Sequence, residues 1–406
     1  MRFTPTIFSK LIAPIDRRHF TTIVARHDGD ARFETLLSWD HLLVLVFAQM
    51  ARITGLRGLE GTWNANRQHH YHLGSTTIAR STVSDAGKIR PVQVFTDTFA
   101  WLAGFLDRTV RRDGKDMLCV IDSTPIPLGK LCDWAKSNGR FRGLKAHVAF
   151  DPHSDCPRLI DITAANVNDA EIGRTVSIQA LTTYVFDKGY CHYGWWRAID
   201  AANAFFVTRP KDTMGLSVVA QRPLLDAQAD GCTILEDAEV RLSSKGDSKL
   251  PMRLRRVTLR RDNGQVIKLI TNDMSRSALA IAALYRARWQ IELLFRWIKQ
   301  HLCLDKFMAN NVNAIKLQIV AAMIAYALLR IAANDHRVEL QILRFGELVA
   351  QCLFERRDMA AIDKPPPVNP SKKRDKTSPD QWVFSYVEPR DAWACGYPDA
   401  RTFAHA

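Results

Sequence analysis

The chain of 406 residues contains no uninterrupted run of about eighteen apolar residues, the length that a bilayer-spanning helix needs. Its most apolar segment, LQIVAAMIAYALLRIAA (317–333), is broken by Gln318 and Arg330 and reads as a core helix. No membrane partner is expected. The opening MRFTPTIFSKLIAPIDRRHF lacks a continuous apolar stretch and a small-residue cleavage site, so no signal peptide is expected. Cysteine occurs eight times, at 119, 132, 156, 191, 232, 303, 352 and 395, but never as CxxC. That argues against a zinc or disulfide framework and for buried thiols in a reducing compartment. Internal repeats are absent. Acid is scarce: 42 Asp and Glu stand against 56 Lys and Arg, a net charge of +14. A small-metabolite enzyme has little use for that excess. A polyanion rewards it, because each neutralised phosphate releases condensed counterions, and nucleic acid is the partner this charge favours.

What is present supports a sizeable core, since 47% of the residues are hydrophobic. Residues 1 to about 110 read as helical: WDHLLVLVFAQMARI (39–53) and VFTDTFAWLAGFLDRTV (94–110) carry apolar faces at helical spacing. Between them LGSTTIARSTVSDAGKIRP (73–91) is short, polar and basic. It is either a capped helix pair or a helix-turn-helix with Arg80, Ser81 and Thr82 near DNA. HHYH (69–72) has no second ligand group at metal spacing and reads as a solvated loop.

From 116 to 210 strand signals dominate. DMLCVID (116–122), KAHVAFDP (145–152), RLIDIT (158–163), TYVFD (183–187) and AFFVTRP (204–210) predict strands; AEIGRTVSIQAL (170–181) and YGWWRAIDAAN (193–203) predict helices. The order implies an α/β layer with a mixed sheet. AEVRL (238–242), MRLRRVTLRR (252–261) and QVIKLIT (265–271) alternate as half-exposed strands, with DNG (262–264) as a hairpin turn. DKPPPVNPSKKRDKTSPD (363–380) reads as a linker or mobile basic arm.

Two strand-like runs end in an acid, at Asp122 and Asp187. Ligands gather at the carboxyl ends of parallel strands in open α/β sheets, and carboxylate oxygens suit a hard divalent cation. A third acid would complete the cage. YRARWQIELLFRWIKQHL (285–302) supplies one: Tyr285, Arg288, Glu292 and Lys299 fall within an arc of roughly 60° on one helical face. An i,i+4 pair of Arg288 with Glu292 explains only half of that stripe. A DNA strand passing a metal site explains all of it, with Arg288 and Lys299 on phosphates and Tyr285 donating a hydrogen bond. Asp151, Asp155, Asp161 and Asp169 read as structural, Asp169 as a helix N-cap before Ala170. In KSNGRFRGLKAH (136–147), Arg140, Arg142 and Lys145 are either phosphate contacts or members of a solvated loop.

At these residues the chain resembles the DDE transposases of the insertion-sequence-four family. Tyr285-x2-Arg288-x3-Glu292-x6-Lys299 matches their Tyr-Arg-Glu-Lys signature without a gap. IDST (121–124) and FDKGY (186–190) resemble their two Asp blocks, and RSTVSDAGK (80–88) resembles a segment of their helical N-terminal domain. The resemblance covers roughly residues 5 to 355. It implies a ribonuclease-H-like mixed sheet flanked by helices, with a β-rich insertion and an N-terminal helical DNA-binding domain. The expected partition is 1–110 for that domain, 111–210 for the first part of the core, 211–272 for the insertion, 273–355 for the Glu292 helix and its successors, and 356–406 for a linker and tail. Asp122, Asp187 and Glu292 would hold two Mg²⁺ ions, with Mn²⁺ as substitute. Tyr285, Arg288 and Lys299 would contact the transposon-end backbone. A homodimer on paired terminal inverted repeats, acting on target DNA in the bacterial cytosol beside the nucleoid, is implied. Some members stack a flipped base on a Trp of the β insertion. Residues 211–272 hold no Trp, so the resemblance leaves a hairpin intermediate open. Interior packing is expected of Trp289. The competing readings are a structure-specific nuclease that cuts without joining, a non-catalytic DNA-binding regulator of transposition, and a glycosidase built on Asp122 and Glu292.

Overall fold

A computed structural model describes residues 5–112, 117–224, 228–229, 231–242, 252–301 and 306–364. The Pro/Lys-rich stretch beyond 364, together with Cys303 and Cys395, lies outside the described residues. The six described cysteines are free thiols.

The N-terminal part is helical throughout: α1 (Ile7–Ile12), α2 (Arg17–Arg26), α3 (Ser38–Met50), α4 (Leu56–Ala65), α5 (His70–Leu73), α6 (Arg80–Ile89) and α7 (Val92–Arg112). Thr6 and Asp16 accept hydrogen bonds from the first turns of α1 and α2 and so satisfy orphan amides. All thirteen residues of α3 are buried, which explains its near-uniform SWDHLLVLVFAQM. HHYH is not a loop: it is helical, with His70 buried and its ring stacked 4.6 Å from that of Trp63. On α6, Arg80 and Ser81 are exposed while Val83 and Ala86 face inward.

Strands β1 (Met117–Pro127), β2 (Gly143–Asp151), β3 (Cys156–Ala164), β4 (Thr182–Phe186), β5 (Phe205–Thr208), β6 (Leu216–Gln221), β7 (Gln228–Ala229), β8 (Cys232–Leu242), β9 (Leu254–Arg261) and β10 (Val266–Thr271) form one sheet. The remaining helices are α8 (Asp169–Gly173), α9 (Tyr193–Ala201), α10 (Ala278–Ala287), α11 (Trp289–His301), α12 (Val312–Asp335) and α13 (Ile342–Gln351). The path runs β3-β2-β1-β4-β5-β10-β9-β8-β6, with β7 beside β8. β1, β4 and β5 are parallel, and β2 is antiparallel to both its neighbours. That five-strand order is ribonuclease-H-like. The β-rich segment is continuous with it, because β10 pairs with the far edge of β5. A Cβ at Gly143 would fall 2.1 Å from the Ile126 carbonyl oxygen, so no other residue could open β2 against β1 there.

Alternation along the strands sorts side chains onto two helix-covered faces. Val120, Val185 and Val207 pack into the large core that also contains α3, α7, α11 and α12. Ile121, Tyr184, Phe186 and Phe206 pack on the other face with Trp195, Trp196 and Ile199 of α9. α12 is long and apolar enough to cross a membrane, but most of it is buried inside this core, against α1, α3, α6, α7 and α13.

Three further expectations change. β1 does not stop at Asp122; it continues to Pro127 along β2, and only its parallel pairing with β4 ends at Ile121. The helix expected over 170–181 closes after Gly173, since Leu181 takes a left-handed φ of 59° and the intervening Thr175-Val176-Ser177 favours extended or capping conformations. The single helix expected over 285–302 is divided at Arg288. There Arg288 N–H bonds to the Tyr285 carbonyl and Ile291 N–H to the Arg288 carbonyl, a local 3₁₀ tightening.

Candidate active site

Asp122 directly follows Ile121, and Asp187 directly follows Phe186; these two apolar residues pair across β1 and β4. Both apolar residues point to the α9 face, so the alternation turns both acids toward the opposite face, where α10 and α11 lie. The start of α10 is fixed to the sheet. Arg255 of β9 makes a buried bidentate pair with Asp237 of β8, at 2.8 and 2.7 Å, and donates to the carbonyls of Asp273 and Arg276. Arg276 in turn donates to Thr183 of β4 at 3.0 Å, and Ser277 caps the helix.

This mounting brings the signature residues onto the acids. Arg288 donates to Asp122 Oδ2 at 3.1 Å and to Glu292 Oε1 at 2.5 Å, so one guanidinium joins two carboxylates from distant parts of the chain. The Tyr285 hydroxyl stands 3.5 Å from Asp187 Oδ1, with the Arg288 guanidinium 5.8 Å from the Tyr285 ring centre. Burial pushes the Asp122 carboxyl up to about 6; the Ser123 amide and Arg288 oppose the rise, and the charges of Asp187 and Glu292 add to it. Burial likewise raises the Tyr285 phenol to about 12. Lys299 lies two turns beyond Glu292, half-buried and without an ion pair among the described residues; burial lowers its ammonium.

Three carboxylates are a donor set suited to a hard divalent ion. Among the described residues, however, no three acidic, His or Cys side chains close around one point. The Arg288 guanidinium lies between Asp122 and Glu292, paired with both. The donor set fits an ion once that guanidinium withdraws.

The other expectations resolve differently. Asn168, not Asp169, caps α8. Asp169 pairs with Lys145 at 2.6 Å, and Lys145 is buried and also donates to the Val167 carbonyl, so it offers nothing to phosphate. Arg142 donates to the carbonyls of Ala135 and Cys132 and holds its own loop; Arg140 remains exposed. Asp155 pairs with Arg330, and Asp151 caps its turn through His153 and Ser154. Trp289 is not interior: it is 51% exposed, on the rim of a cleft of about 560 Å³ between the β8–β10 strands and α10–α11.

A polar cluster behind the sheet escaped the sequence reading. His147 of β2 is wholly buried; its Nδ1 lies 3.0 Å from the Tyr190 hydroxyl and its Nε2 2.9 Å from the Thr163 hydroxyl. Asp169, Lys145, Asp161 and Tyr190 face it. Burial holds the ring down at about 4, Lys145 reinforcing this and Asp169 and Asp161 opposing it. A folded pKa below the unfolded value of about 6.5 means that the unfolded chain binds the extra proton first. The stability contributed by neutral His147 is therefore complete above pH 6.5 and is lost as pH falls toward 4. Urea midpoints at pH 7 and pH 4.5 should differ by less in His147→Gln than in wild type; an equal difference would remove His147 as the cause.

A ribonuclease-H-like sheet with carboxylates gathered where its parallel pairing ends is the architecture of metal-dependent enzymes that cut and join nucleic-acid phosphodiesters. The chain belongs to the DDE transposase family: residues 113–328 match the family described as Transposase DDE domain. Residues 4–76 match a domain of unknown function (DUF4372). A candidate transposase of Sinorhizobium fredii (strain NBRC 101917 / NGR234), y4zB, is 65% identical over 75% of this chain and 86% of its own length. A Geobacillus stearothermophilus protein named as transposase for insertion sequence element IS5377 is 28% identical over 80% of this chain and 84% of its own. A Synechocystis protein (strain ATCC 27184 / PCC 6803 / Kazusa) named for element IS4SA is 26% identical over 64% and 73%. The piggyBac transposase synaptic complex with hairpin DNA overlays 91% of this chain and 84% of its own at 10% identity, with a TM-score of 0.44. The chain is thus an insertion-sequence transposase, a polynucleotidyl transferase that acts on DNA with divalent metal ions. This membership removes the glycosidase reading.

Proposed function

We propose that this transposase is of the insertion-sequence-four type and works by cut-and-paste. Asp122, Asp187 and Glu292 hold two Mg²⁺ ions, or Mn²⁺ in their place. Arg288 and Lys299 hold phosphates of the element's terminal inverted repeat, and the Tyr285 hydroxyl donates a third contact. The observation that carries this reading is the double ion pair of Arg288, which draws Asp122 and Glu292 together while Tyr285 reaches Asp187. When bound, the ions supply Lewis-acid activation of the attacking oxygen and charge neutralisation at the leaving one. The protein residues orient the strand: Arg288 exchanges its carboxylates for a phosphate, a bidentate acceptor of the same shape and charge sign. The same site that frees the element's 3′-hydroxyl then presents it to target DNA, with no covalent protein intermediate. A homodimer on two paired ends, in the cytosol beside the nucleoid, fits this chemistry.

The test is a reaction of the purified chain with Mg²⁺, the terminal sequence of its own element and a target plasmid. Cleaved and joined products are expected, and neither with Asp187→Ala. Cleavage without joining would favour the structure-specific nuclease instead. Lys299→Ala should weaken end binding and flatten the dependence of log affinity on log salt by about one unit of slope. An unchanged slope would remove Lys299 from the phosphate contacts.

A further inference from the structure

The acids occupy one face of the sheet, and the polar cluster of His147 occupies the other. β1 lies between β2 and β4 in the sheet, and Ser123 of β1 pairs in register with His147. Tyr190 belongs to the short turn that leaves Asp187, its amide bonded to the Asp187 carbonyl at 3.0 Å. Its hydroxyl meets His147 at 3.0 Å. The contact therefore starts in the turn after Asp187, passes behind β1 one residue from Asp122, and ends on β2. Thr163 of β3 secures the other ring nitrogen of His147 at 2.9 Å. Beside it the pair of buried Lys145 with half-buried Asp169 closes on the same turn: a Cβ at Gly189 would lie 3.3 Å from Asp169 Oδ2, so the turn and this carboxylate are already in close contact.

We propose that Tyr190 and His147 form a strap that sets the separation of Asp122 and Asp187, and that both are positioning residues for divalent-ion binding. The proposal rests on the assignment of those two acids as metal ligands. A neutral, buried imidazole has one donor and one acceptor nitrogen, and here two hydroxyls match them, so the ring has a single satisfied orientation. On the sheet itself, backbone pairing relates the two acids only up to Ile121–Phe186, and both lie just past its end; across the other face Arg288 and Tyr285 reach them from α10 and α11. Partners one layer behind metal ligands typically govern affinity by about 10–100-fold.

The experiment is a Mn²⁺ titration of the full chain, free of DNA, read by electron paramagnetic resonance, with thermal unfolding measured in parallel. Tyr190→Phe removes one oxygen from a buried ring. It should bind Mn²⁺ about 10–100-fold more weakly while unfolding within a few degrees of wild type. Tyr184→Phe, whose hydroxyl in the same core bonds Gln179 N–H and the Ser177 carbonyl instead, should leave affinity unchanged. Thr163→Val, which frees one side of the imidazole, should weaken binding in the direction of Tyr190→Phe, and it carries the test should Tyr190→Phe fail to fold. Wild-type affinity in Tyr190→Phe, or an equal loss in Tyr184→Phe, would overturn the strap. Binding that survives Asp187→Ala, or a wild type that takes up no Mn²⁺, would instead overturn the assignment of the acids, and the strap with it.

Discussion

Asp122→Asn is expected to abolish cleavage and joining, by at least about 10³-fold, and at the same time to stabilise the metal-free fold. The first effect follows from the proposed role of Asp122: loss of a charged ligand whose ion would lower the barrier by several kcal/mol, and about 4 kcal/mol corresponds to that factor. The second follows from the electrostatics. Asp122 titrates at about 6 in the folded chain, above its ordinary 3.8, because it is buried among acids. A raised carboxyl pKa contributes stability only while the group is protonated. That contribution is full below pH 3.8, falls as pH rises through 6, and is gone at pH 7.5. An amide carries no such dependence. Asp122→Asn should therefore gain about 1–2 kcal/mol at pH 7.5 in EDTA, less than the full shift because Arg288 loses a partner, and almost nothing at pH 4.5. Melting curves at the two pH values, beside a cleavage assay, check both halves. A lower melting temperature at pH 7.5, or cleavage within tenfold of wild type, would contradict the account.

Arg288→Ala should move two affinities in opposite directions. Its guanidinium holds Asp122 and Glu292 and is itself only 17% exposed. Charge-assisted hydrogen bonds of this kind contribute about 1.5–3 kcal/mol each, and an entering cation must break both. Removing the guanidinium should raise Mn²⁺ affinity in the absence of DNA by about tenfold or more. If Arg288 makes the proposed bidentate phosphate contact, its loss should lower affinity for the element's terminal duplex by about 10–100-fold. Calorimetric titration with Mn²⁺ and filter binding with duplex separate the two. Loss of both affinities together would mean that Arg288 serves only to assemble the acids.

Much of this site was legible in the chain. Asp122 and Asp187 terminate apolar runs, and the spacing of Tyr285, Arg288 and Glu292 put three unlike polar groups on one helical stripe. What periodicity does not carry is tertiary pairing. Lys145 looked like a member of an exposed basic loop, yet the register of β2 places it opposite Thr163, within reach of Asp169. His147 alternates within an apolar strand, and nothing local shows that hydroxyls from two other elements converge on it. β6 is not legible in the sequence, because its LSVVAQ pairs at a sheet edge with most of its side chains exposed, so no buried face marks it. Trp289, in an otherwise apolar helix, reads as an interior residue. The break at Arg288 turns it outward instead.

The setting of α12 limits how such an element can be silenced. Asn313 side-chain amide bonds fasten this helix to the end of α6 through Gly87 and Arg90, and its buried length is clad by the N-terminal helices. A copy that had lost its first hundred or so codons would leave a rod of Ile, Leu, Val and Ala facing water. Such a product is expected to aggregate rather than persist as a soluble competitor for the ends.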